Sequence, residues 1–420
     1  MNDPVVIVGA SLGGLRTAEA LRRGGYLGRI DIIGEEAHHP YNRPPLSKDV
    51  LASSVSHSEV AFPHDLSPTN TNWILGTRVI QADLTSHTVA DEFGSEHPYS
   101  ALVIATGLRP RRLNLENEDA QGVHVLRTLF DAIGLRADLV RGAKVVIVGA
   151  GFIGCEVAST AIKLGCDVSI VAADEHPMVR PLGAKFASEL QRRHELAGVS
   201  YLLNNSVSKI NTTDSGSGPR VLSLELNDGQ TIACDVLVQA IGSHTNTEWL
   251  AETGLDICDG VLTDNTMRAI TINGDTVPDV YAVGDVARFP NPIFGGLARR
   301  IEHWNIPIET AKRAGQVLAA KLADEQKFEA VISQEFAPIP SFWSDQFGMH
   351  LLAFGDLALA DESRLLDGDI NGDCIWGYYK NDVLVGVCGL GMRSALQSYR
   401  KHFSSQSPAA QTVGKYTHDS

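Results

Sequence analysis

Twice along this chain a β-branched run empties into a glycine-rich turn, continues as a helical pattern and returns as a second apolar run. The first unit is Val5-Val6-Ile7-Val8, then Gly9-Ala10-Ser11-Leu12-Gly13-Gly14, a helical pattern from Leu15 to Arg23, and Ile30-Asp31-Ile32-Ile33. The second is Lys144-Val145-Val146-Ile147-Val148, then Gly149-Ala150-Gly151-Phe152-Ile153-Gly154, a helix to Leu164, and Val168-Ser169-Ile170-Val171. This order opens a doubly wound, Rossmann-like α/β domain, because parallel strands need a crossover helix and the glycines let that helix start close against its strand. Two units roughly 140 residues apart imply two nucleotide sites.

A chain of 420 residues exceeds one ordinary core, and 44% hydrophobic with 20% charged residues is the composition of a well-packed globular protein. A net charge of −15 argues against nucleic acid as the main partner, since phosphate binding needs a basic surface. No apolar run approaches the ~20 residues that span a bilayer. Met1-Asn2-Asp3-Pro4 carries an acid and no basic region, which reads as the lead into a strand rather than a signal peptide. A cytoplasmic protein without membrane attachment is expected. Cys155, Cys166, Cys234, Cys258, Cys374 and Cys388 show no C-x-x-C pair and no metal-like spacing, so they read as small buried thiols and no metal site is expected. From about Gln334 short strands alternate (Met349 to Phe354, Cys374 to Tyr379, Leu384 to Cys388) and end in a helical Met392 to His402, the pattern of a small α+β domain with an antiparallel sheet. The polar stretch after Ser404 reads as disordered.

In the first turn Gly9 permits the tight bend and Gly14 the close helix, with Gly13 between them. The middle glycine of the fingerprint, which lets a pyrophosphate approach the backbone, is Ser11 here. Glu35 follows the second strand, where a carboxylate grips a ribose diol. Leu102-Val103-Ile104 ends in Ala105-Thr106-Gly107, small residues against which a cofactor can lie. Val280-Tyr281-Ala282-Val283 ends in Gly284-Asp285, a carboxylate at a strand's C-terminal end that suits a ribityl hydroxyl; a helix N-cap is the structural alternative for Asp285 alone. The second turn, with Gly149, Gly151 and Gly154 around Phe152 and Ile153, is an intact fingerprint.

In this order, and with Tyr41-Asn42-Arg43-Pro44-Pro45-Leu46-Ser47-Lys48, Gly149 to Glu156, Gly284-Asp285-Val286 and Phe342-Trp343-Ser344-Asp345-Gln346, the chain from Val5 to about His402 resembles the FAD-dependent NAD(P)H ferredoxin reductases of the glutathione-reductase fold, the type of putidaredoxin reductase and of dioxygenase reductase components. The resemblance implies an FAD-binding domain in two segments, 1–110 and 244–325, an inserted NAD(P)H-binding domain, 111–243, a C-terminal domain, 326–404, and a tail, 405–420. It implies that Lys48 lies beside flavin N5, paired with Glu156, on a loop stiffened by Pro44 and Pro45. A cation there stabilises reduced flavin, and the carboxylate offsets the burial of the ammonium. Arg43, Val79 and Gly242 join the cofactor-binding set. Arg43 to Val50 contains no cysteine pair, so dithiol relay chemistry is not expected and electrons pass from flavin directly to the acceptor.

Relatives commonly carry a glutamate right after the strand that follows the second fingerprint. Here the stretch is Ile170-Val171-Ala172-Ala173-Asp174, which removes the main repulsion against a 2′-phosphate. NADH is the expected donor, with Asp174 as a substitute acid and NADPH as an alternative, and the resemblance puts Arg180 near the ribose. Trp343 resembles the aromatic beside the flavin and Trp304 lies in a flavin-side segment; core packing is the other reading of each. Arg299 and Arg300 form a basic pair, with Arg393, Arg400 and Lys401 at the other end of the small domain, and the resemblance puts Arg300 where a small acidic ferredoxin docks. His303 reads as a hydrogen-bonding neighbour rather than a catalyst. The expected cycle takes a hydride from the nicotinamide to FAD, and single electrons past Trp343 to a [2Fe-2S] or similar ferredoxin serving a dioxygenase or haem monooxygenase. A monomer or weak homodimer is expected. The alternatives are an NADH oxidase or rubredoxin reductase and, from another class, an NAD(H)-responsive redox-sensing binding protein.

Overall fold

In a computed structural model, residues 3–53, 55–63 and 70–405 are described. The first glycine turn opens a six-stranded sheet ordered Arg268–Ile270, Thr276–Ala282, Ala101–Ile104, Val5–Val8, Ile30–Gly34, Thr71–Leu75. All neighbours pair in parallel except the outermost, Arg268–Ile270 on Thr276–Ala282. Val5, Val6, Ile7, Leu102, Val103 and Ile104 are fully buried, as strands covered on both faces must be. The helix Leu12–Arg23 begins three residues earlier than its apolar periodicity predicts, within the glycine turn, and packs on the long helix Ile306–Ala323.

The second turn opens a five-stranded, wholly parallel sheet ordered Ser200–Leu202, Asp167–Val171, Lys144–Val148, Val236–Gln239, Val123–His124. Its helix is Phe152–Lys163. Two three-stranded antiparallel sheets, one over residues 79–98 and one over 207–233, hang from these parallel sheets and have no counterpart among the strands expected from sequence. The strand Leu108–Pro110 pairs antiparallel with Ser243–Thr245, so the chain leaves and re-enters the first body side by side.

The C-terminal part is an antiparallel sheet ordered Ser341–Gln346, Met349–Gly355, Val383–Leu390, Cys374–Lys380, Glu362–Gly368, closed by the helix Arg393–Ser405. Three of these strands match the expected segments, and the first and last are additional. The mixed α/β architecture, with parallel sheets and a separate antiparallel one, is the expected fold class. Ser405 ends the helix instead of beginning a tail, and 406–420, also expected to be disordered, lie outside the described residues. Leu351, Trp376 and Tyr378 of this sheet share one core with Val145, Ile170 and Phe186 of the second parallel sheet and its helices. No helix among the described residues is long and apolar enough to cross a membrane.

Candidate functional site

Both glycine turns sit at the C-terminal ends of parallel strands, the crevice where open α/β sheets hold ligands. The crevice is a single cleft of roughly 1770 Å³, well above the ~300–1,000 Å³ that holds one drug-sized molecule. The two turns are built alike. A Cβ at Gly149 would meet Ala240 O at 2.2 Å, and one at Gly154 would meet Gly149 O at 2.1 Å, so packing alone demands glycine at both. At Gly151 a Cβ would find nothing within 4 Å, and its φ of −78° suits any residue. Nothing among the described residues requires glycine there, so the bare backbone fits a ligand pressed against it. In the first turn Gly9 and Gly14 repeat the packing, Gly13 faces the cleft, and Ser11 stands at the N-cap position without a side-chain capping bond, its hydroxyl accepting from Arg43 Nε at 3.4 Å.

The predicted residues separate into lining and framework. Glu35, Arg43, Lys48, Val79, Ala105 and Thr106 line the cleft, as do Gly107, Gly242, Gly284 and Asp285. Phe152, Ile153, Glu156, Arg180, Trp304 and Trp343 line it from the side of the second turn and the C-terminal sheet. Gly14, Gly149 and Gly154 stand behind the wall, and Pro45 is not part of it, Pro44 and Leu46 facing the cleft instead.

The segment carrying Lys48 is held from three sides. Pro44–Ser47 forms a single 3₁₀ turn. Arg43 donates to Glu36 at 2.5 Å and to Arg127 O at 2.7 Å, and Tyr41 donates to Glu36 at 2.5 Å. Lys48 Nζ then reaches Glu156 Oε2 at 2.6 Å across the gap from one body to the helix Phe152–Lys163. Glu156 is 4% exposed and Lys48 18%, so the pair is desolvated on the carboxylate side and open to the cleft on the ammonium side. Ser47 Oγ donates to Glu156 Oε2 at 2.6 Å and Ser344 Oγ to Oε1 at 2.5 Å, so both carboxylate oxygens are engaged. A buried ion pair tolerates burial only when its remaining lone pairs are met, and here they are.

Asp285 lies at the end of Thr276–Ala282, and Arg127 Nη2 approaches its Oδ2 at only 3.5 Å. Burial pushes the Asp285 carboxyl up, with Arg127 pulling it back, and burial likewise lowers the Arg127 guanidinium. A desolvated carboxylate with one long contact retains accepting capacity toward the cleft, and this fits a hydroxylated ligand. Gly284 N donates to Thr310 Oγ1, so the Gly-Asp corner is fixed on the long helix. Arg127, Glu36 and Ser344 were not singled out from sequence. The capping box of Thr128 and Asp131 marks the helix start just after Arg127, but no local pattern points to its contact with Asp285, 158 positions away.

Other expectations meet a different geometry. His303 lines the cleft, has a buried Nδ1 without a hydrogen-bond partner among the described residues, and packs edge-on against Phe342 at 5.0 Å. Burial holds its imidazole down to about 4, hence neutral. Asp174, the substitute acid, is bound by Arg180 at 3.0 Å and does not line the cleft. Ala172 is 6% exposed and lies in the core. Trp304 and Trp343 meet edge to face at 5.5 Å. Arg299 pairs with Asp356, and Arg300 pairs with Asp259 at 3.0 Å and with Glu302, so each charge is matched within the chain. All six cysteines are free; Cys258 is exposed, against the expectation of burial.

Comparison with known proteins agrees with this geometry. The family model described as pyridine nucleotide-disulphide oxidoreductase matches residues 3–311, and the chain belongs to that family of oxidoreductases. It is 35% identical over 386 residues, 92% of this chain and 88% of the relative, to the p-cumate 2,3-dioxygenase system ferredoxin–NAD(+) reductase component of Pseudomonas putida. It is 34% identical to a rubredoxin–NAD(+) reductase of Pseudomonas putida over 86% of this chain and 88% of that one. Among solved structures, the covalent putidaredoxin reductase–putidaredoxin complex matches with a TM-score of 0.86 at 26% identity, covering 96% of this chain and 94% of that one. The ferredoxin reductase for the CYP199A2 system of Rhodopseudomonas palustris matches with a TM-score of 0.84 at 30% identity, covering 95% and 94%.

Proposed function

From that membership we propose that this chain is the ferredoxin reductase of an oxygenase system, taking electrons from NADH through FAD to a small iron–sulfur protein. The observation that carries the reading is the Lys48–Glu156 pair at 2.6 Å on the wall of one cleft shared by both glycine turns. FAD, when bound, supplies the conversion of one two-electron delivery into two single-electron departures. The chain's own residues do the rest. The turn at Gly9 to Gly14 and Glu35 hold the adenosine end and pyrophosphate, Asp285 takes the ribityl hydroxyls, and Lys48 places a cation where charge gathers on the reduced ring.

Gly151 and its helix N-terminus receive the pyrophosphate of NADH. NADH is the proposed donor because the relatives are named for NAD(+) and because Arg180, the base nearest a 2′-phosphate in sequence, is engaged by Asp174. A second reading, use of NADPH as well, rests on Ala172, which leaves no carboxylate at the strand end to repel the phosphate. Trp304 and Trp343 line the exit toward the partner, whose docking side is set by Arg299 and Arg300. The same reading keeps the FAD segments at 1–110 and 244–325 and the NADH domain at 111–243.

The test is anaerobic stopped-flow reduction of the yellow protein by equal concentrations of NADH and NADPH, followed by addition of a [2Fe-2S] ferredoxin. Fast bleaching by NADH and rapid re-oxidation by the ferredoxin are expected. A protein that purifies without flavin, or that neither nucleotide bleaches, ends the proposal. Fast bleaching with no ferredoxin-dependent re-oxidation, followed by rapid re-oxidation when air is admitted, would instead identify an oxidase.

A further inference from the structure

Beyond Glu156 the buried polar atoms do not stop. Ser344 is fully buried and Gln346 is 1% exposed, both on the strand Ser341–Gln346. Gln346 Nε2 donates to Ser344 Oγ at 2.9 Å, and Ser344 Oγ donates to Glu156 Oε1 at 2.5 Å. His194, fully buried on the helix Ala184–Leu196, has its ring against Phe347, the residue after Gln346, at 4.6 Å. His194 Nδ1 and the Tyr201 hydroxyl are 2.7 Å apart. Two orphaned atoms complete the picture: Gln346 Oε1 and His194 Nε2 are both buried without a partner among the described residues, and the Gln346 side chain is near enough to His194 to favour a proton on it.

Hydrogen-bond chemistry fixes the direction of every link. A carboxylate only accepts, so the single Ser344 proton must point at Glu156. Ser344 Oγ therefore accepts from Gln346, whose amide must turn its NH₂ toward Ser344 and its oxygen toward His194. That oxygen needs a donor, which places the His194 proton on Nε2. His194 Nδ1 is then an acceptor and the Tyr201 hydroxyl donates to it. A slight approach of Gln346 and His194 satisfies both orphaned atoms, each of which is otherwise a desolvated polar group without compensation. Burial holds the His194 imidazole down to about 4, so it carries one proton and has one tautomer to choose.

We propose that Tyr201, His194, Gln346 and Ser344 form a polarised relay of positioning residues, every proton aimed at Glu156, which holds that carboxylate in the orientation that Lys48 needs. The relay ties the second parallel sheet and the C-terminal sheet to the flavin side of the cleft through one carboxylate. Its action on Lys48 rests on the reductase reading above, whereas its polarity does not.

The polarity is read from ¹⁵N-labelled histidine in the protein without added nucleotide. Wild type is expected to show His194 as the Nε2–H tautomer at pH 7. In Glu156→Gln, Lys48 and Ser47 retain the amide oxygen and the new NH₂ faces Ser344. Each link then reverses, and His194 is expected to become the Nδ1–H tautomer although it never touches position 156. Gln346→Leu should uncouple His194 from that change. Should Glu156→Gln not fold, Ser344→Ala carries the test, since loss of the hydroxyl frees Gln346 to turn and His194 should show both tautomers. In the flavin-loaded protein, Ser344→Ala should slow NADH bleaching roughly tenfold at unchanged NADH Kd, the loss expected for one hydrogen bond to a charged group. An unchanged His194 tautomer in a folded Glu156→Gln, or wild-type bleaching in Ser344→Ala, overturns the relay. Failure of NADH to bleach wild type would overturn the reductase reading and leave a reversed tautomer standing.

Discussion

At the residue scale the site turns on a buried carboxylate with three donors, of which Lys48 alone carries a charge. Glu156 is 4% exposed, so its charge is tolerated because Lys48, Ser47 and Ser344 replace water. Removing the ammonium while keeping the carboxylate leaves an uncompensated buried charge, at a cost of about 3 kcal/mol. Lys48→Met should therefore lower stability by about that amount in denaturant titration, and Lys48→Met with Glu156→Gln should recover most of it. Flavin bleaching should behave differently. The cation itself is absent from both variants, so both should lose roughly a hundredfold in the reduction rate. Recovery of rate together with stability would mean that Lys48 serves the fold and not the chemistry. The Lys-Glu partnership was legible from the family resemblance of the 41–48 segment and the second fingerprint. Its serine donors were not, because Ser47 and Ser344 are 297 positions apart in the numbering and no local pattern links them.

At the scale of elements, the two glycine turns show how much of the fold a short pattern can specify and where it stops. Strand, turn, helix and strand were readable in both units because parallel strands buried on both faces give unbroken apolar runs, and Val5–Val8 and Lys144–Val148 have the expected limits. The antiparallel strands over 79–98 and 207–233 were not readable. Runs such as Val79–Asp83 and Val207–Asp214 are half-exposed and mixed in polarity, so their identity comes from pairing with distant partners rather than from period. The basic pair Arg299-Arg300 was visible, but its neutralisation was not, since Asp356 and Asp259 arrive from other elements. Within the second turn the three glycines should respond differently to a methyl group. Gly154→Ala puts a Cβ 2.1 Å from Gly149 O and should destabilise by about 1–3 kcal/mol as the helix Phe152–Lys163 is forced off its strand. Gly151→Ala meets nothing within 4 Å, so its melting temperature should equal wild type. Its NADH affinity should still fall roughly tenfold, since a methyl pressed into a ligand costs energy of the same order. Calorimetric melts and NADH titrations on the two variants test this; a stable Gly151→Ala with full affinity would remove the pyrophosphate from that turn.

At the scale of the whole molecule, charge decides both how a partner is met and how the fold answers acid. With −15 net charge and Arg299 and Arg300 already paired internally, those two arginines mark the docking side by short-range contact and exert little long-range pull on an acidic ferredoxin. Raising ionic strength from ~0.01 M to ~0.15 M shortens the Debye length from ~30 Å to ~8 Å and should leave the ferredoxin KM unchanged or lower it; a KM that climbs steeply with salt would restore a steering patch. Acid acts through the buried histidines. His194 and His303 are both held down to about 4 by burial, against an ordinary value of 6.5. Between those values the unfolded chain takes up the proton and the folded chain does not. Stability is therefore complete above pH 6.5 and drains as pH falls toward 4, by about 1.4 kcal/mol per unit for each histidine. Asp91, under His97 and backbone donors, and Asp138, held below the usual range by Arg220 and His124 despite burial, lose their contributions only further down, as pH falls through the carboxylate range. Asp285 acts in the opposite sense, since a carboxyl raised by burial gains a proton more readily in the folded state and softens the acid loss. Denaturant titrations at pH 7 and pH 5 should show wild type losing about 4 kcal/mol from the two histidines together. His194→Phe should lose about half as much across the same interval, although it starts from a lower value because the Tyr201 hydroxyl loses its His194 partner. An unchanged slope in His194→Phe would mean that its proton is taken up as easily folded as unfolded.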